Sequence, residues 1–387
     1  MNSGPPNRGS RLAEELARLT QRPASRPGPS VCPMHIGEPD FTTPAFIREA
    51  MTKALEQGYT GYAQPQGEPE FRAALAADLS RRSAQDFEPN QVIVTAGGSP
   101  AIVSAIMGTI NPGDRVVIPE PTYSLYADAI CLAGGAPVYV PAAPDLHLDL
   151  PAIGAAAAGA RMLILCNPCN PTGVVCRPDE VRAVARIAVE HDLLVLADEA
   201  YDHIVFDGRE FVSTLSLPEL AGRLLYCQTF SKTYAMTGWR VGYVAAPADL
   251  ASPVGLVHRT FNGSVNSAVQ RAALAALTTD TSWPDERRRD YQRRRDLVVE
   301  TLADVPGLKM PVPEGAFYAF LGYAGQLTAQ EMVARALEAG VGLRAGTEFG
   351  ASGAGHVRLA FCVEDARLAD GLARLVDVLR DVANYRD

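Results

Sequence analysis

Thr229-Phe230-Ser231-Lys232-Thr233-Tyr234-Ala235-Met236-Thr237-Gly238-Trp239-Arg240 is the stretch on which the reading of this chain turns. It lies between two apolar runs, Leu224-Leu225-Tyr226-Cys227 and Val241-Gly242-Tyr243-Val244-Ala245, each of which reads as a buried strand. Lys232 sits just past the first strand among small hydroxyl residues, and Arg240 follows eight positions later. A lysine held in an enclosed site can lose its proton and form a Schiff base with a carbonyl. Hydroxyls and an arginine beside it suit a phosphate. A surface lysine in a plain loop is the competing reading, so the rest of the chain has to decide.

Composition narrows the field. At 387 residues the chain exceeds one ordinary core, which predicts two domains. Hydrophobic content of 47% and charged content of 20% are those of a soluble globular protein. A net charge of −9 argues against a nucleic-acid partner. The basic run around Arg287-Arg288-Arg289 and Arg293-Arg294-Arg295 is broken by acids and apolar residues, and reads as the polar face of a long helix. No apolar run is long enough to span a bilayer, so no membrane partner is expected. The first thirty residues are rich in Pro, Arg, Ser and Gly and lack an apolar signal core, so a flexible arm and a cytoplasmic location are expected. Seven scattered cysteines do not make a disulfide framework. Cys166-x-x-Cys169 has the spacing of a metal or redox pair, but no second pair accompanies it.

Strand and helix patterns then alternate. Strands are predicted at Val92–Thr95, Val116–Ile118, Val138–Val140, Met162–Cys166, Leu193–Ala197, Leu224–Thr229 and Val241–Ala245. Helices are predicted from Pro44 to about Gln57, from about Glu68 to Arg82, and near 100–109, 122–133, 149–157 and 178–190. That alternation implies an α/β fold, a mainly parallel seven-stranded sheet flanked by helices. Past Ser264 come two helical stretches, then short strands at Tyr318–Phe320, Val341–Arg344 and Val357–Ala360 with helices near 328–339 and 364–384. This tail reads as a smaller α+β domain. The expected division is an arm over 1–30, a small domain from 31–45 and 285–387, and a large domain over 46–284.

In open α/β sheets ligands sit beyond the carboxyl ends of the strands. Thr95-Ala96-Gly97-Gly98-Ser99-Pro100 joins a strand to a helix there, and its glycines let backbone approach an anion at the helix N-terminus. Asn167-Pro168-Cys169-Asn170-Pro171-Thr172-Gly173 is a double Asn-Pro turn ending in Thr-Gly. Leu193–Ala197 ends in Asp198, an acid at a buried strand end that needs a cationic partner. Glu199 is the rival acid, and strand alternation should send its side chain to the opposite face.

The S-K-x-x-x-M-T-G-W-R run ending at Arg240 and the N-P-x-N-P-T-G run at 167–173 together resemble the class I/II aminotransferases, the aspartate-aminotransferase-like branch of the fold type I pyridoxal-phosphate enzymes. The resemblance covers nearly the whole chain from about Val31. It implies pyridoxal 5'-phosphate as cofactor, joined to Lys232, with the freed lysine amine moving a proton during the reaction. Asp198 would hold the pyridine nitrogen protonated and so tune the electron sink. Tyr201 and Asn170 would hydrogen-bond the phenolic oxygen, and Tyr123 would stack on the ring. Gly98, Ser99, Thr229, Ser231 and Arg240 would hold the phosphate. Arg358, in the short strand His356-Val357-Arg358-Leu359-Ala360, would take the substrate α-carboxylate bidentately, with Gly37 and Asn170 beside it. The resemblance also implies a homodimer with shared sites, in which Tyr62 reaches the phosphate of the partner's cofactor. The substrates implied are an L-amino acid and a 2-oxo acid. One departure stands out. Where the family commonly has Pro-Gly before Phe-Gly, this chain has Arg344-Ala345-Gly346-Thr347-Glu348-Phe349-Gly350, which leaves the substrate open.

Two alternatives remain at this stage. One is elimination, replacement or cyclisation of an amino acid on the same scaffold, since proton loss at the α-carbon serves those outcomes too. The other is a ligand-sensing domain of a transcription regulator, against which the short arm counts.

Overall fold

The computed structural model describes residues 10–20, 28, 30–83 and 85–384. The first half runs α1 (Arg11–Thr20), α2 (Ala45–Glu56), α3 (Pro69–Arg82), β1 (Val92–Thr95), α4 (Gly98–Thr109), β2 (Arg115–Glu120), α5 (Leu125–Leu132), β3 (Ala136–Pro141), α6 (Leu150–Ala157), β4 (Met162–Cys166) and α7 (Pro178–Glu190). Then follow β5 (Leu194–Asp198), β6 (Leu224–Thr229), β7 (Gly242–Ala245), α8 (Ala248–Asn262), α9 (Ser267–Thr278), α10 (Trp283–Leu302), β8 (Tyr318–Gly322), α11 (Ala329–Glu338), β9 (Arg344–Ala345), β10 (His356–Ala360) and α12 (Asp365–Asn384).

Local chemistry accounts for many of these limits. Proline in the first turn opens α3, α6, α7 and α10, where its missing N–H costs nothing. Asp149 caps α6 by accepting from the Ala152 N–H at 3.0 Å, and Asn266 caps α9 by accepting from Val269 at 3.1 Å.

β1 to β7 form one sheet in the order β1-β7-β6-β5-β4-β2-β3. β3, β2, β4, β5 and β6 are parallel, and β7 runs against both of its neighbours. Alternate residues of β5 serve opposite cores. Leu194 and Leu196 pack with Ile164 and Tyr126, while Val195 and Ala197 pack with Leu163 and Tyr226. Both faces are covered, so the strand is apolar throughout until Asp198. A separate core of Met34, Tyr291, Phe317, Leu359 and Leu372 lies beneath the antiparallel sheet β8-β10-β9.

Register aligns the ends that matter. Cys166 lies opposite Asp198, Asp198 opposite Cys227, and Gly242 opposite both Thr95 and Thr229. The carboxyl ends of β1, β4, β5 and β6 therefore meet at one edge, with the start of the reversed β7.

Three details depart from expectation. The stretch 1–30, read as a flexible arm, contains the helix α1, which lies against α5. Its Leu12 and Leu16, four apart, form a helical repeat that the surrounding Pro and Ser obscure. α8 has no clear helical signature in the sequence, because Pro253 and Gly255 interrupt its pattern. The expected strand Val341–Arg344 shifts to Arg344–Ala345, and Val341 makes only an isolated bridge to Cys32.

Candidate active site

The aligned strand ends open onto a cavity of about 650 Å³. The loop between β6 and β7 brings Lys232 into it. Nζ donates to the carbonyl of Gly37 at 2.7 Å. Burial pushes the ammonium of Lys232 down to about 8, and the positive charges of Arg358 and Arg240 push the same way. A quantity of neutral amine is thus present near neutral pH, as a nucleophile requires.

Asp198 ends β5 on the Leu196 side of the sheet. Tyr126 donates to its Oδ2 at 2.7 Å, and the Ala200 N–H donates to Oδ1 at 3.2 Å. Burial raises its carboxyl, and the two hydrogen bonds and Lys232 lower it in part. Glu199 turns to the other face, as alternation predicts. There it accepts from Ser213 Oγ at 2.6 Å, Thr214 N at 2.8 Å and Thr214 Oγ1 at 2.7 Å, outside the cavity.

An anion cradle lies at the other side. Gly97 has φ +99°, the left-handed region that favours glycine, and precedes the N-terminus of α4. A Cβ on Gly97 would stand 2.7 Å from Arg240 Nη2, so the guanidinium lies directly against this turn. Arg240 Nη1 donates to Thr237 O at 2.9 Å. Thr229 Oγ1 donates to Ser231 Oγ at 2.9 Å, and both residues line the cavity. Gly98 and Ser99 complete this side, with Tyr123 at the wall.

Arg358, Tyr318, Phe349 and Gly37 form the roof. Arg358 Nη1 donates to Asn170 Oδ1 at 3.0 Å, and Nη2 donates to His35 O at 2.9 Å. Its guanidinium stands 4.4 Å from the Tyr318 ring centre and 4.9 Å from that of Phe349. Arg358 Nε is buried without a hydrogen-bond partner. Tyr201 and Tyr318 share a hydroxyl–hydroxyl bond of 2.8 Å. A Cβ on Gly37 would come within 2.0 Å of the Tyr318 hydroxyl, so glycine is the residue that fits there.

Gly37, Gly98, Ser99, Tyr123, Asn170, Asp198, Tyr201, Thr229, Ser231, Lys232, Arg240 and Arg358 all line this one cavity, and Arg344 joins them. Tyr62 does not. It is fully exposed on the described chain. Sequence reasoning missed Tyr126, whose spacing of three from Tyr123 is the only local signal, and His35, which serves through its backbone carbonyl. Cys166 and Cys169 are free thiols facing the carbonyls of Pro168 and Pro121 at 3.6 and 3.7 Å. Among the described residues no group of three or more His, Cys, Asp or Glu is placed to hold a metal, and no helix is long and apolar enough to cross a membrane.

The model of the family described as aminotransferase class I and II matches residues 29–375. The chain belongs to this family. Membership makes it an aminotransferase, as the lysine, asparagine and aspartate motifs led one to expect, and the fold is that of the family. The aspartate/prephenate aminotransferase of Thermus thermophilus is 36% identical over 362 residues, 92% of each chain. The aromatic aminotransferase of Pyrococcus horikoshii OT3 superposes with a TM-score of 0.89 at 33% identity, over 96% of this chain and 99% of that one. The Thermus thermophilus aspartate aminotransferase solved with maleate gives 0.85 at 33% identity, over 95% of each.

Proposed function

We infer that this aminotransferase uses pyridoxal 5'-phosphate, held on Lys232, to pass an amino group from an L-amino acid to a 2-oxo acid. The single observation that carries the reading is the buried amine of Lys232 in one cavity with the Gly98, Thr229, Ser231 and Arg240 cluster and an acid, Asp198. The residues fit the cofactor in three places. The Gly97 turn, with Arg240 packed where a Cβ would stand, and the hydroxyls of Thr229 and Ser231 suit a phosphate. Asp198 accepts hydrogen bonds from Tyr126 and the Ala200 N–H and lines the cavity, which suits a protonated ring nitrogen. Tyr123 brings an aromatic side chain to the wall. When bound, the cofactor supplies an electron sink that stabilises negative charge at the substrate α-carbon.

The chain's own groups then take separate tasks. Lys232 Nζ, once free, would take the substrate α-proton and hold it for return. Asp198, oriented by Tyr126 and the Ala200 N–H, would hold the ring nitrogen of the cofactor protonated. Arg358, oriented by Asn170 and His35 and flanked by two aromatic rings, takes the substrate α-carboxylate. Tyr201, tied to Tyr318, donates toward the phenolic oxygen. The names of the relatives range from aspartate and prephenate to aromatic substrates, and both classes are candidates here.

A homodimer completes the reading. Tyr62 is an aromatic residue fully exposed on the single chain, in a loop between α2 and α3. That exposure supports the expectation that it serves the partner's phosphate. The experiment is to mix purified protein, loaded with cofactor, with a panel of L-amino acids and 2-oxo acids and to identify products by mass spectrometry. Paired appearance of a new amino acid and a new 2-oxo acid is the expected result. Release of ammonia without transfer refutes transamination.

A further inference from the structure

Arg358, with Nη1 and Nη2 already tied to Asn170 and His35, is assigned the α-carboxylate alone. A second guanidinium lies beside it. β9 and β10 are antiparallel, and Arg344 stands directly opposite Arg358 in their register. Opposed residues of such a pair project from the same face, with Cβ atoms roughly 5 Å apart. Both side chains line the main cavity.

Arg344 is ion-paired with Glu348, four residues on, and the pair has two readings. It can simply tie the turn together, since Glu348 Oε1 also accepts from the Ala345 N–H at 3.1 Å. It can also hold a guanidinium ready for a ligand. Placement separates the two. Glu348 is buried and lines a neighbouring cavity of about 430 Å³ rather than the main one, whereas the Arg344 side chain keeps 20% of its surface open. The carboxylate thus approaches from behind and Arg344 stands between it and the site. Burial raises the Glu348 carboxyl, and Arg344 is the largest influence lowering it. A guanidinium has five N–H donors, enough for a carboxylate on each of two edges. A tie needs no such exposure to the cavity.

We propose that Arg344 is a specificity residue, binding the distal carboxylate of a short dicarboxylic amino acid or 2-oxo acid whose α-carboxylate lies on Arg358, with Glu348 orienting it from behind. The inference rests on the transamination reading and narrows its substrate to the acidic class. A dicarboxylate brings two negative charges to two arginines held side by side. A neutral or aromatic side chain leaves Arg344 on Glu348, so such substrates are accepted but gain nothing from it.

The test uses the cofactor-loaded enzyme in the half-reaction, with no acceptor, so that only the donor amino acid varies. Aspartate, glutamate and phenylalanine are compared in wild type, Arg344→Gln and Arg344→Lys. In Arg344→Gln, kcat/KM for the better acidic substrate should fall about 10- to 100-fold, the scale of a lost charged hydrogen bond. The loss for phenylalanine should be much smaller, so the acidic-to-aromatic ratio collapses. Arg344→Lys should recover part of that ratio. Calorimetric binding of succinate and of propionate gives an independent arm, in which succinate alone should weaken. An unchanged ratio, an equal loss for all three amino acids, or equal effects on succinate and propionate overturns the proposal. If wild type converts no amino acid, the transamination reading fails, and the succinate and propionate comparison still decides the role of Arg344.

Discussion

The amine of Lys232 should react as a neutral nucleophile at a pH where ordinary lysines do not. Its ionisation is lowered from 10.5 to about 8 by burial, a difference of about 2.5 units. At pH 7 that difference multiplies the neutral fraction about 300-fold. The chain has only three lysines, Lys53, Lys232 and Lys309, so each reports separately. The assay is reductive methylation of the cofactor-free protein with formaldehyde and a mild borane, from pH 6.5 to 10.5, read by peptide mapping. Labelling of Lys232 should be half-maximal near pH 8 in the folded protein and shift upward in urea. The same shift has a stability sign. The folded state binds the proton less tightly, so between pH 8 and 10.5 the unfolded chain carries more protons and stability rises with pH. Below pH 8 the full cost is present, on the order of 3 kcal/mol. Lys232→Met should remove that rise, seen by comparing urea midpoints of the two proteins at pH 7.5 and 10. If folded and unfolded chains label Lys232 with the same pH midpoint, the amine is not depressed and the nucleophile argument fails.

Three further outcomes follow from the site. Asp198→Asn should keep the fold and the cofactor but slow α-proton removal by at least about 100-fold, roughly 3 kcal/mol, in single-turnover absorbance measurements; near-normal turnover would show that Asp198 has another role. Arg358→Lys loses the bidentate fork and its two ring contacts, and should cost about 1–3 kcal/mol in kcat/KM, mostly through KM, for every amino acid tried. Neither Lys232→Ala nor Tyr62→Ala alone should be fully active, yet mixing and re-equilibrating them should restore part of the activity, because one hybrid site then holds both side chains. An active monomer, seen by light scattering at assay concentration, would remove the shared-site reading.

The site was legible where chemistry is local in sequence. Lys232, Asp198 and the Asn170 turn stand at strand ends marked by apolar runs, and the parallel sheet brings such ends together wherever they fall in the chain. Arg358 needed family resemblance, because a single strand arginine has no local signature. The Tyr126 bond to Asp198 joins residues 72 positions apart, and nothing in either segment announces it. The His35 contact is invisible because it is made by a carbonyl that any residue would offer. Arg344 and Glu348 stood out as a departure from a pattern, but their pairing and the cavity they face came from the fold. Helix α8 was hidden by Pro253, whose cost in helix stability is outweighed by the burial of Ala251, Val254 and His258.

The bond from Lys232 to the Gly37 carbonyl has a mechanical meaning. Gly37 belongs to the segment that runs from Cys32 and Met34, which are packed in the small core, to the start of α2, while Lys232 hangs from the large sheet. The nucleophile therefore doubles as a latch between the Gly37 segment and the large sheet. Engaging its nitrogen with a carbonyl compound leaves at most one N–H, whose direction the new carbon fixes, and the latch, about 1 kcal/mol of hydrogen bond, is weakened. Loading the enzyme and freeing the Gly37 segment from the large sheet are then one event.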